Sequence, residues 1–179
     1  MADYNSAYTG PQIDAAVGLA DTALQPIDTG WAQHADTFYT ALAPFAILAD
    51  TDTVVPNNNG SVIDSQKPAD VTTFYDGTVI TGRNGDGITI TVDLMVIPTS
   101  VNTTYIEFWF DIGGSLGRIY PRIVSFPKGV GLERPLNFTV TGYTLNTWAA
   151  NGATVYVRAN GSANLHTIRY IITRTHKAR

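Results

Sequence analysis

An all-β sandwich of about eight to ten strands, preceded by one short helix, is the fold that this sequence predicts. Three observations predict it. Apolar and polar side chains alternate over long segments, turn-forming clusters recur between the apolar runs, and a stripe at three- and four-residue spacing occupies the N-terminal region.

The stripe comes first in the chain, in YTGPQIDAAVGLADTALQP, Tyr8 to Pro26. Gly10 suits a cap, Pro11 suits the first helical position, where its missing N–H is not needed, and Pro26 marks a stop. The expected helix covers 11–25. Ile13, Ala16, Val17, Ala20, Ala23 and Leu24 fall on one face of it, with Gln12, Asp14, Asp21 and Gln25 elsewhere. A lone helix of this length, with Gly18 at its middle, is marginal in water, so the stripe needs a partner to pack against. Residues 1–30 are therefore read as an attachment arm working through Ile13, Ala16, Val17, Ala20 and Leu24.

Residues 31–44 form a connector of open structure, apolar enough at Trp31, Phe38, Tyr39 and Leu42 to pack on something. From Phe45 the pattern changes to short strands and turns, which sets the expected head at 45–179. Within it, Ile88 to Val96 places apolar residues at 88, 90, 92, 94 and 96, the period of a half-buried strand. The next segment sets Ile106, Phe108, Phe110 and Ile112 against Tyr105, Glu107, Trp109 and Asp111, which predicts a central strand. Further strands are expected near 45–49, 116–126, 134–143, 153–159 and 165–174, with weaker candidates at 53–55, 61–63 and 78–80.

Glycine- and asparagine-rich clusters punctuate these runs: NNNGS, GRNGDG, GGSLG, KGVG and NGSAN. Strands joined this way imply a sandwich, and the long early connection from Asp50 to Asp76 suits a Greek-key or jelly-roll path better than an up-and-down barrel. KGVGLE and GGSLG lack Walker spacing and a strand-to-helix context, so they are read as turns.

Composition narrows the function classes. Without cysteine there are no disulfides or thiolate metal sites. No signal-like leader and no apolar run of membrane-spanning length is visible, so the expectation is a soluble protein made in the cytosol, with no membrane insertion. Charge is divided unevenly: residues 1–82 hold ten aspartates against Lys67, a net of −9, and the remainder is net +5. The two halves can attract each other or neighbouring copies. The basic C-terminal positions lack the aromatic interleaving of a nucleic-acid module, so no nucleic-acid partner is expected.

A search for catalytic groups finds little. His34, His166 and His176 lack metal or triad spacing. Asp93, Glu107 and Asp111 alternate on strands and could meet across them as a glycosidase pair must, or face solvent opposite arginines. Asp50 and Asp52 offer oxygens to calcium without the rest of an EF-hand loop. The reading is non-enzymatic, with no metal and no cofactor. Tyr105 and Trp109 share the face opposite Phe108, with Tyr120, Tyr143, Trp148 and Tyr156 following, and such rings serve either a second buried face or a subunit contact. Tyr105, Trp109 and Tyr156 are the candidate oligomer interface.

Two resemblances sharpen this. TGPQIDAAVGLADTALQP, through Thr9, Gly10, Gln12, Ile13, Asp14, Ala15, Ala16 and Val17, resembles a short N-terminal element of bacteriophage tail-fibre and related appendage proteins. Residues 45–179, through ADTDTVVP, ITITVDLMVIP, YIEFWFDIGGSLGRIY, YTLNTWAANGATVYV and IRYIITR, resemble in pattern the trimeric jelly-roll heads of tumour necrosis factor and complement type. Together they imply a homotrimeric virion protein, a fibre or spike. Its arm would join other virion proteins and its head would meet a host-surface glycan or protein. A capsid decoration protein is the alternative, and a polysaccharide-degrading enzyme a lesser one.

Overall fold

The computed structural model describes residues 9–21 and 28–178. In chain order the elements are α1 (Gly10–Asp21), β1 (Gly30–Ala35), β2 (Phe45–Ile47), β3 (Thr53–Val54), β4 (Ser61–Ile63), β5 (Gly87–Pro98), β6 (Tyr105–Asp111), β7 (Arg118–Ser125), β8 (Arg134–Tyr143), α2 (Thr147–Asn151), β9 (Thr154–Ala159) and β10 (Ala163–His176). They build two antiparallel sheets. One runs β4-β1-β10-β5-β8, with β2 also on β10, and the other runs β3-β9-β6-β7.

Pairing identifies the topology without appeal to likeness. β1 pairs with β10, β3 with β9, β5 with β8 and β6 with β7, so early strands meet late ones in nested order. A chain doubled on itself and then wrapped into two sheets gives that nesting, which makes this a jelly-roll β-sandwich.

The core lies between the sheets. Ile88, Ile90, Val92, Leu94 and Val96 of β5 are all buried, facing Ile106, Phe108 and Phe110 of β6. Phe108 stacks on Phe138 of β8 at 4.9 Å between centroids. Each such side chain stabilises by about 1.5–3 kcal/mol when fully buried. On the outer face the register is marked by hydroxyl pairs, Thr89 with Thr141 at 3.0 Å and Thr91 with Thr139 at 2.9 Å.

Three details differ from the sequence expectation, and one part of it is not covered. The helix cap is Thr9, not Gly10: its N–H donates to Gln12 Oε1 at 2.9 Å, half of a capping box. Residues 22–25 of the expected helix lie outside the described residues. The segment read as a connector contains β1, which hydrogen-bonds to both β10 and β4 and buries Ala32 and His34, so the sheet begins at Gly30. Residues 78–80 supply single bridges at Ile80 rather than a strand.

β10 holds a bulge between His166 and Arg169, where Thr167 takes φ 53°. The extra residue exchanges the faces of the strand: Leu165 points inward before it, and Ile168, Tyr170, Ile172 and Arg174 do so after it. Strand directions also define two ends. Gly30, Arg174, Gly87, Tyr143, Asp111 and Arg118 lie at one, which is therefore the end where the arm joins and the C-terminal segment leaves. Ala35, Pro98, Arg134 and Ser125 lie toward the other.

Candidate functional site

Nothing in the sandwich needs α1 for its core. Every described side chain from Thr9 to Ala20 is exposed, including Ile13 at 44% and Val17 at 54%. Ile13, Ala16, Val17 and Ala20 do line one face, the i, i+3, i+4, i+7 positions that a helix offers to a groove. Leu24, the last residue of the expected stripe, lies outside the described residues.

The arm joins the sandwich over an ion network centred on Arg174, which is 1% exposed. Its Nη1 donates to Asp70 Oδ2 at 3.2 Å and Asp86 Oδ2 at 3.3 Å, its Nη2 to Asp70 Oδ1 at 2.5 Å, and its Nε to the Asp28 carbonyl at 2.7 Å. Lys177 adds contacts to Asp28 at 2.8 Å and Asp70 at 3.3 Å. Asp86 Oδ1 accepts from the Ala178 N–H at 2.8 Å. Hydrogen bonding from Arg174 holds the Asp70 carboxyl down at about 2. The first half of the chain thus supplies Asp28 and Asp70 to cations of the second half, the attraction that the charge division predicts. Arg174 is a buried hub because the bulge in β10 turns it inward.

The expected aromatic interface lies on the outer face of the β3-β9-β6-β7 sheet. Trp109 and Tyr156 are cross-strand partners, stacked at 5.5 Å and 11°. Arg118 covers the other side of the indole, 4.2 Å from its centroid, while pairing with Glu107. Trp109 is consequently only 3% exposed, whereas Tyr105 and Tyr156 are half-buried.

The catalytic alternatives come apart in space. Asp93 faces outward from the six-stranded sheet and is held by Asn137 and Arg169, whereas Glu107 and Asp111 belong to the other sheet. The two sheets separate Asp93 from Glu107 and Asp111. Asp50 and Asp52 are each engaged by Arg158, at 3.5 and 3.6 Å. Among the described residues no three histidine or carboxylate groups converge as a metal site. His34 is buried in β1, its Nδ1 2.8 Å from Asn59 Oδ1, and desolvation lowers its pKa. His166, also buried, places Nε2 2.8 Å from Glu133, and His176 meets the edge of Tyr143.

A surface that periodicity does not reveal opens at the sandwich edge where β7 and β8 leave the two sheets apart. Leu116, Ile119, Tyr120, Tyr143, Leu145 and Trp148 line a cleft of about 450 Å3 there, with Arg118 as its one charged lining residue. Trp148 is the floor, fixed by its Nε1–H to the Ile80 carbonyl at 3.0 Å. Tyr120, at φ 52°, lies across to β8, where its hydroxyl would meet any Cβ at Gly142. Leu116, Tyr143 and Leu145 remain 64%, 59% and 56% exposed. These residues come from two turns, two strand ends and α2, so only the strand pairing brings them together.

No family model matches this chain. No curated protein matches it either. Among solved structures it is similar to PRD1 vertex protein P5, with 15% identity over 86% of this chain and all of that one, at a TM-score of 0.47. It is also similar to the Eiger TNF of S. frugiperda, with 10% identity over 84% and 95% of the two chains and a TM-score of 0.49. The coat protein of Tobacco streak virus gives 12% identity over 88% and 94%, with a TM-score of 0.34. The jelly-roll assignment rests on the strand pairing and not on these likenesses. No described helix is long and apolar enough to cross a membrane.

Proposed function

We propose that this chain is a homo-oligomeric structural protein of a virus particle, joined to its assembly through α1 and presenting the sandwich outward. One observation carries this reading: an apolar helical stripe stands exposed beside a jelly roll that has its own core. A stripe of that kind is stable only when covered by something else. The motif around it, TGPQIDAAV, supports a bacteriophage appendage, fibre or spike as the particular setting. In a trimer, Tyr105 and Tyr156 would be contact residues, with Trp109 supporting them from beneath.

The end away from the arm suits an outward role. Its loops expose Phe38, Leu42, Leu48, Val101, Val130 and Leu132, with Leu42 at 99%. Loops held by a rigid scaffold are the usual place for recognition of a host glycan or protein. Deleting residues 1–26 should leave the sandwich folded but exclude it from particles. Undiminished incorporation of the truncated chain would reject the arm's role, and imaging labelled protein on tail or capsid separates an appendage from a decoration protein.

A further inference from the structure

The β7–β8 cleft and the α1 stripe are complementary surfaces of one molecule that do not meet within it. Both are apolar and both are exposed. α1 carries Asp14 and Asp21 and no basic residue, whereas no carboxylate lines the cleft and the exposed Arg122 lies further along β7, beyond Arg118, which Glu107 already holds. The strand directions put the cleft at the same end of the sandwich as the root of the arm. In a ring of parallel copies every arm and every cleft therefore lie at one level, and a contact from each subunit to the next closes on itself.

From this we infer that α1 of one copy seats Ile13, Ala16, Val17 and Ala20 in the β7–β8 cleft of a neighbouring copy, with Asp14 toward Arg122. The proposal rests on the homo-oligomeric reading above and names the surface that receives the arm. The binding mode is helix in groove, with anchors at i, i+3, i+4 and i+7. Small residues at 16 and 20 let the helix approach closely, and the two larger ones fill the cleft between Tyr120 and Leu145.

The test uses the full-length protein with a photoreactive benzophenone amino acid in place of Ala16. Irradiation should give covalent dimers whose cross-links map to residues 112–121 or 143–148 of the second copy. Val17→Glu and Leu145→Glu should each weaken subunit association about tenfold or more, the effect of losing one buried apolar anchor. Both positions are exposed in the single chain, so an unchanged thermal midpoint confirms intact folding. Asp14→Lys and Arg122→Glu should each weaken association about twofold or more, and the double variant should recover it. Cross-links from position 16 to another α1, or to any surface other than the cleft, in an intact oligomer overturn this inference alone. A single-chain mass at all concentrations overturns the homo-oligomeric reading with it.

Discussion

Arg174 and Asp86 face each other across 3.3 Å, Nη1 to Oδ2, with the two residues 1% and 3% exposed. Charges withdrawn from water this far are tolerated only while each has its partner. Replacing Arg174 by Met would fill similar volume but take the buried guanidinium from both Asp86 and Asp70, leaving Asp86 only the half-exposed Arg83, 3.3 Å from its Oδ1. The expected loss is about 3–5 kcal/mol, read as a lowered urea midpoint at unchanged slope. A variant as stable as the parent would show that the network is not an anchor.

Acid should act on this fold in two windows. Burial lowers the pKa of His34 from 6.5, so the native state resists a proton that the unfolded chain accepts. Its contribution is complete above 6.5 and is lost as pH falls toward the lowered native value. Asp70 follows, because its native value of about 2 lies below the ordinary 3.8: its contribution is intact above 3.8 and disappears as pH falls through about 2. His34→Gln should flatten the decline in urea stability between pH 7 and 5 and leave the acid limb in place. An unaltered slope in that variant would assign the upper window to another group.

How much of this was legible follows from the residues themselves. β5, β6 and β8 declare themselves because Ile, Val, Leu and Phe alternate with polar residues through their lengths, and β8 begins and ends where periodicity sets it. β1 is silent because its inward side chains, Ala32 and His34, are small or polar, and tertiary pairing rather than propensity makes it a strand. Arg174 looks like a surface cation until the bulge at Thr167 is known to turn it inward. The cleft is invisible for a related reason: Leu116 is distant in sequence from Tyr143 and Trp148 and joins them only through the sheet edge.

Asp36 organises the loop after β1. Its Oδ2 accepts the Phe38 and Tyr39 N–H groups at 3.0 and 2.6 Å, and its Oδ1 accepts the Asn58 N–H at 2.9 Å. A carboxylate holding three backbone donors makes hydrogen bonds of the stronger, charge-assisted kind. Asp36→Ala should therefore destabilise by about 2 kcal/mol or more, with amide exchange rising first at residues 37–39 and 58. Exchange rising evenly over the whole chain instead would place Asp36 in the global core rather than in loop order.

Substitutions on the arm should behave in the opposite way. Ile13 and Val17 touch no part of the buried core, so Ile13→Ser together with Val17→Ser removes no burial from the folded chain. Surface changes away from caps and cores stay within about 0.5 kcal/mol, and the Thr9 and Gln12 cap is untouched. The thermal midpoint at a concentration where the protein is a single chain should thus equal that of the parent. Under conditions of assembly the two should diverge, because only the parent gains stability from association, and the gap should widen with protein concentration. A midpoint lowered equally in dilute and concentrated solution would mean that the stripe packs on its own sandwich, and that α1 belongs to the fold rather than to its partners.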